Sequence, residues 1–140
     1  MQTPSVDSEP QPTRVMYVDD SRDITDTLAM LTLGHADLET VGTLDSTEGI
    51  VEEVLQRRAG VLVLDLTIPG ESPLEAIREL AKRAPSCRVI VYSGYDDDRT
   101  RDAALRAGAW ALVSKRDDPD EIIRAIRRVA GERAAPAPLD

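Results

Sequence analysis

The sequence contains no phenylalanine, and three tyrosines with one tryptophan make up its entire aromatic content. A surface that stacks single-stranded nucleic acid needs more aromatic side chains than that. A single cysteine, Cys87, rules out a disulfide within the chain. A single histidine, His35, leaves too few nitrogen and sulfur ligands for a zinc centre. Both residues are read as structural. No apolar run approaches the roughly 20 residues of a membrane span, so no membrane role is expected. The polar, proline-bearing start is unlike a secretory signal, and a cytoplasmic location is expected. Basic charge is scarce too: 17 Lys and Arg stand against 26 Asp and Glu, a net charge of −9. That balance argues against direct nucleic-acid binding.

What is present is the material of one globular domain: 140 residues, 41% hydrophobic and 31% charged. Met1–Thr13 carries Pro4, Pro10 and Pro12 among polar residues and reads as a flexible leader. Gly131–Asp140 contains Ala134-Ala135-Pro136-Ala137-Pro138 and reads as a linker-like tail. The expected ordered unit is therefore Arg14–Ala130, without internal repeats.

Within that unit, short apolar runs alternate with helical patterns. Val15–Val18, Val61–Leu64 and Val89–Tyr92 are rich in β-branched residues and lack polar alternation, as strands covered on both faces do. Ala111–Val113 is a weaker run, and the mixed segment Leu38–Thr43 suits an edge strand. Between the runs, apolar residues recur at helical spacing: Ile24, Leu28 and Leu31; Ile50, Val54 and Leu55; Leu74, Ile77 and Ala81; Ile122, Ile126 and Val129. Asp45 with Glu48, Ser72 with Glu75, and Asp118 with Glu121 have the spacing of capping boxes. Pro73 and Pro119 suit a first helical position, where no amide hydrogen is needed. A short Ala-rich helix is expected over Asp98–Ala107. Five β-α repeats with right-handed crossovers give an α/β fold, a doubly wound five-stranded parallel sheet in the flavodoxin-like order 2-1-3-4-5.

Such sheets bind ligands beyond the carboxyl ends of their strands. There the sequence places Asp19 and Asp20 after the first run, Asp65 after the third, Ser93 after the fourth and Lys115 after the fifth. Each has an ordinary reading alone: a helix cap at Asp19-Asp20, a turn former at Asp65, a turn residue at Ser93, a solvated charge at Lys115. Their convergence from distant parts of the chain points elsewhere. Crowded carboxylates repel unless a cation or proton intervenes. Mg2+ takes oxygen ligands, keeps several waters and shares phosphate oxygens. Beside it, Asp65 can act as a nucleophile toward a phosphoryl group, with Lys115 and Ser93 meeting the phosphoryl oxygens.

The stretches Val15-Met16-Tyr17-Val18-Asp19-Asp20-Ser21, Val63-Leu64-Asp65-Leu66-Thr67-Ile68-Pro69-Gly70, Val91-Tyr92-Ser93-Gly94 and Ala107-Gly108-Ala109, the last leading to Lys115, resemble the receiver (CheY-like) domain of two-component response regulators. Lys115-Arg116, in place of a Lys-Pro step, is similar to receivers of the LuxR/NarL type. The resemblance implies that Asp65 is the phosphoacceptor, and that Mg2+ is held by Asp19, Asp20, Asp65 and the Thr67 carbonyl. It makes Ser93 the switch hydroxyl and Lys115 the phosphate-contacting lysine. It implies a histidine kinase or phosphotransfer protein as donor, and a downstream protein or a C-terminal output domain of roughly 60 further residues as receiver of the signal. It leaves homodimerisation open. The chain would be no enzyme beyond catalysing its own phosphorylation and dephosphorylation.

Two departures stand out. Leu112 occupies the position where the family usually has an aromatic, three residues before the lysine, and Pro73 replaces a common glycine. A constitutive interaction module on the same fold is the alternative. A haloacid-dehalogenase-type hydrolase is disfavoured, because it needs a second Asp two residues past the nucleophile, where Thr67 stands.

Overall fold

A computed structural model of the chain describes residues 11–132. The elements run β1 (Thr13–Val18), α1 (Arg22–Leu33), β2 (Leu38–Leu44), α2 (Ile50–Arg57), β3 (Val61–Leu64), α3 (Pro73–Arg83), β4 (Arg88–Ser93), α4 (Asp98–Ala107), β5 (Ala111–Ser114) and α5 (Asp120–Gly131). The sheet is parallel throughout, in the order β2-β1-β3-β4-β5. This is the expected topology. β1 begins at Thr13, the last residue of the expected leader, and α5 runs through Gly131, the first of the expected tail. The rest of those two segments, residues 1–10 and 133–140, lies outside the described residues.

Alternation along each strand builds two cores. Val15, Tyr17, Val63, Ile90 and Val113 face α1 and α5, meeting Leu28, Ile122 and Ile126. Met16, Val18, Leu62, Leu64, Val89 and Val91 face the other way, against Ile50 and Val54 of α2, Ile77 and Leu80 of α3 and Ala104 of α4. Ile77, Leu80, Ile122 and Ile126 are wholly buried, and burial of such a side chain contributes about 1.5–3 kcal/mol.

β2 is the edge, and its pairing with β1 slips between Val15 and Met16. The slip frees the Val41 carbonyl, which the Arg57 guanidinium satisfies at 2.8 Å. α4 ends at Gly108, where φ is +126° and an added Cβ would lie 3.1 Å from the Ala81 side chain. Glycine is needed there on both counts.

Helix starts differ from the expected capping boxes. α2 begins after Gly49, whose positive φ turns the chain into the helix, so Asp45 and Glu48 cap nothing. Ser72 precedes α3 without a side-chain cap, although Pro73 does open the helix. Pro119 lies just before α5, and Asp118 Oδ1 accepts from the Asp120 amide at 2.9 Å. α4 has a cap that the pattern did not signal: Asp97 accepts from both the amide and the hydroxyl of Thr100.

Candidate functional site

Parallel strands bring their carboxyl ends to one edge, and the ladder continues just past them. The Asp19 amide donates to Leu44 O at 3.1 Å, Asp65 to Val18 O at 2.9 Å and Lys115 to Ser93 O at 2.9 Å. Backbone pairing thus fixes where these three side chains start, before any of them touches another.

The side chains then meet. Carboxylate oxygens of Asp19, Asp20 and Asp65 all lie within 4.8 Å of one another. Lys115 Nζ sits 2.8 Å from Asp19 Oδ2 and 3.3 Å from Asp65 Oδ1. Asp19 Oδ1 accepts from the Ser21 amide at 2.9 Å, and Asp65 Oδ1 from the Thr67 amide at 3.0 Å. Asp19 and Asp65 are buried, whereas Asp20 faces solvent. Ser93 is also fully buried, and its Oγ accepts from the Tyr95 amide at 2.9 Å. A hydroxyl that accepts there keeps its own proton to donate. The structure therefore gathers Asp19, Asp20, Asp65 and Lys115 into one contact cluster. Ser93 and Thr67 stand on the neighbouring strand end and loop, lining one cavity of about 430 Å³ with Leu66, Pro73 and Tyr95. A second cavity of about 270 Å³ opens on the other side, lined by Asp19, Asp20, Thr25, Asp26 and Asp45.

Burial pushes the Asp65 carboxyl above its ordinary pKa; the Thr67 amide draws it down, and the charge of Asp19 raises it again. Burial alone would lower the Lys115 ammonium, but the hydrogen bond to Asp19 and the charges of Asp65 and Asp19 hold it above the ordinary lysine value. With the carboxylates ionised, three negative charges face one ammonium, leaving a local charge of −2. A hard divalent cation fits that donor set: its charge matches the residue, and its ligands would all be oxygen.

Several contacts at this rim had no signal in the sequence. Lys115 Nζ lies 5.7 Å from the centre of the Tyr92 ring, a cation–π contact that helps place the ammonium. Glu71 Oε1 accepts from the Thr47 amide at 2.6 Å and from its hydroxyl at 2.5 Å, tying the loop after β2 to the loop after β3. Arg116 pairs with Asp96, joining the loops after β5 and β4. Such contacts depend on side-chain reach between loops, which spacing along the chain does not encode.

The sequence model of the response regulator receiver domain matches residues 15–127. The chain belongs to this family. Response regulator GacA of Pseudomonas viridiflava is 33% identical over 122 residues, 86% of this chain and 56% of that protein. Oxygen regulatory protein NreC of Staphylococcus epidermidis is 27% identical over 117 residues, 83% of this chain and 54% of that one. Among solved structures, a LuxR-family two-component response regulator from Aurantimonas sp. SI85-9A1 superposes with a TM-score of 0.82 at 24% identity, covering 91% of each chain. The response regulator domain of Thermotoga maritima CheB does so at 0.80 and 24%, covering 89% of this chain and 100% of that one. The two solved structures share the receiver fold with this chain. The chain spans about half the length of the curated relatives it matches. Phosphorylation on an aspartate is the general mechanism of the family, and its acidic pocket generally takes Mg2+. No helix among the described residues is long and apolar enough to cross a membrane.

Proposed function

We propose that this receiver is switched by phosphorylation of Asp65. One observation carries the reading: a buried carboxylate at the end of a central strand, with two further carboxylates within 4.8 Å and a lysine bridging to it. A carboxylate oxygen of Asp65 forms a bond to phosphorus while the bond to the donor's leaving group breaks. For a phosphohistidine on a kinase or phosphotransfer protein, the departing imidazole nitrogen takes up a proton. Lys115, already 3.3 Å from Asp65, offsets charge on the transferred oxygens, and the Ser93 hydroxyl donates its free proton to one of them. Asp19, Asp20, Asp65 and the Thr67 carbonyl would hold Mg2+, which neutralises phosphoryl charge when bound.

On this reading the chain catalyses only its own phosphorylation and dephosphorylation, and its output goes to a downstream protein or to an output domain in the same polypeptide. A cytoplasmic location goes with it. The test is intact-mass spectrometry after incubation with Mg2+ and a small acyl phosphate. Wild type should gain one labile phosphoryl group, and Asp65→Asn should gain none. An unmodified wild type, or equal modification of the Asn variant, would overturn the assignment.

A further inference from the structure

The opposite end of the sheet carries a second concentration of charge, of the other sign. Arg14, Arg58 and Arg88 line one cavity of about 390 Å³ at the amino ends of β1, β3 and β4, together with Gly60 and Ser86. In a chain of net charge −9 this is a local reversal. Arg14 is committed to its neighbours: it donates to the Arg57 carbonyl and pairs with Glu39. Arg88 lies over the Trp110 ring, 4.1 Å from its centre, and uses Nη1 on the Val129 and Glu132 carbonyls. Its Nε and Nη2 carry no protein hydrogen bond among the described residues, and neither Arg58 nor Arg88 meets a carboxylate there.

Arg58 has a further peculiarity. It ends α2 with φ +52° and ψ +46°, the only residue other than glycine with positive φ among the described residues. Glycine is the usual choice for that backbone. An arginine there carries backbone strain that glycine would avoid, and it brings a guanidinium to the cavity. The same residue, with Gly60 and Ser86, also borders an adjoining slot of about 440 Å³, whose remaining wall is mainly apolar, Leu55, Ala59, Ala84 and Pro85, beside Arg83, which is paired with Glu52. Each cavity has the size of a small-molecule subsite. A basic subsite and an apolar one that share a planar guanidinium suit a ligand with an oxyanion at one end and a compact flat body at the other.

We propose that this end of the sheet binds a nucleoside phosphate. Its phosphoryl oxygens would meet Arg58, Arg88 and the Ser86 hydroxyl, and its base would lie in the apolar slot with the Arg58 guanidinium against it. The site is independent of the phosphorylation reading, because it shares no residue with the acidic cluster.

The experiment uses the full chain without divalent metal, so that phosphates are not recruited to Asp19, Asp20 and Asp65. ADP, pyrophosphate and adenosine are titrated separately, followed by calorimetry and by emission of Trp110, the only tryptophan, which reports on Arg88. ADP should saturate with a Kd below about 1 mM, pyrophosphate should bind more weakly, and adenosine should not bind. Arg58→Gly should weaken ADP by about tenfold or more while the melting temperature holds or rises, since glycine relieves the strain. Arg106→Ala, on α4, should change nothing. Absence of saturation by ADP, equal affinity in Arg58→Gly, or pyrophosphate or adenosine binding as tightly as ADP would each overturn the proposal.

Discussion

Lys115 already serves as the cation of the acidic cluster, lying between Asp19 and Asp65. Its removal leaves three carboxylates with no ammonium, so a divalent ion gains attraction and loses an internal competitor. Lys115→Ala should therefore bind Mg2+ several-fold more tightly by calorimetry, yet accept the phosphoryl group at least roughly tenfold more slowly. Parallel losses in both would contradict the assigned role. Cys87 gives the pH dependence. Burial pushes its thiol up to about 12, so the folded state holds a proton that the unfolded chain releases above its ordinary value near 9. The thiol's contribution is complete below that value, and stability falls between about pH 9 and 12 with a slope up to ~1.4 kcal/mol per unit. Tyr17 and Tyr92, both raised by burial, add to the slope. The difference between wild type and Cys87→Ala in denaturant melts across that range isolates the thiol.

At the scale of elements, the strands whose faces are both buried were the most legible. Val61–Leu64 is a strand with the bounds its composition suggests, and Asp98–Ala107 is a helix with the bounds expected. Asp19, Asp65 and Lys115 were legible for the same reason: each follows directly on a strand, with Asp20 one residue further. Less was visible where a loop decides. Nothing in Asp45–Glu48 announces that Gly49 starts α2, nor that Thr47 is bound by Glu71 from another loop. Those outcomes depend on residues brought together by folding. Leu112 belongs here as well: it is buried in the core on the side of the sheet that α4 covers, so β5 presents no aromatic at the position where the resemblance leads one to expect it. Gly108 tests the joint between α4 and β5. Gly108→Ala combines a disfavoured φ with a 3.1 Å approach to Ala81 and should cost about 2 kcal/mol, read from chemical denaturation. An unchanged midpoint would show that the joint relaxes freely.

For the whole molecule, folding without metal retains a local excess of negative charge at the strand ends, so a divalent ion that binds only the folded chain must stabilise it. At a free Mg2+ concentration of about a hundred times Kd the gain is about 2.7 kcal/mol, visible as a rise in melting temperature. Asp20 faces solvent and packs against nothing in either core. Asp20→Asn should therefore melt like wild type in chelator and lose most of the rise. A rise that persists in this variant would place the ion elsewhere.

β3 is only four residues long, and all four are buried. At about 3.3 Å per residue it spans ~13 Å, with Gly60 and the arginine-lined cavity at one end and Asp65 at the other. Paired with β1 and β4 and covered on both faces, this short strand joins the two ends directly. Occupancy at the two ends is then subject to thermodynamic reciprocity. By whatever factor a ligand beside Arg58 alters the equilibrium for loading Asp65, a loaded Asp65 alters the affinity for that ligand by the same factor.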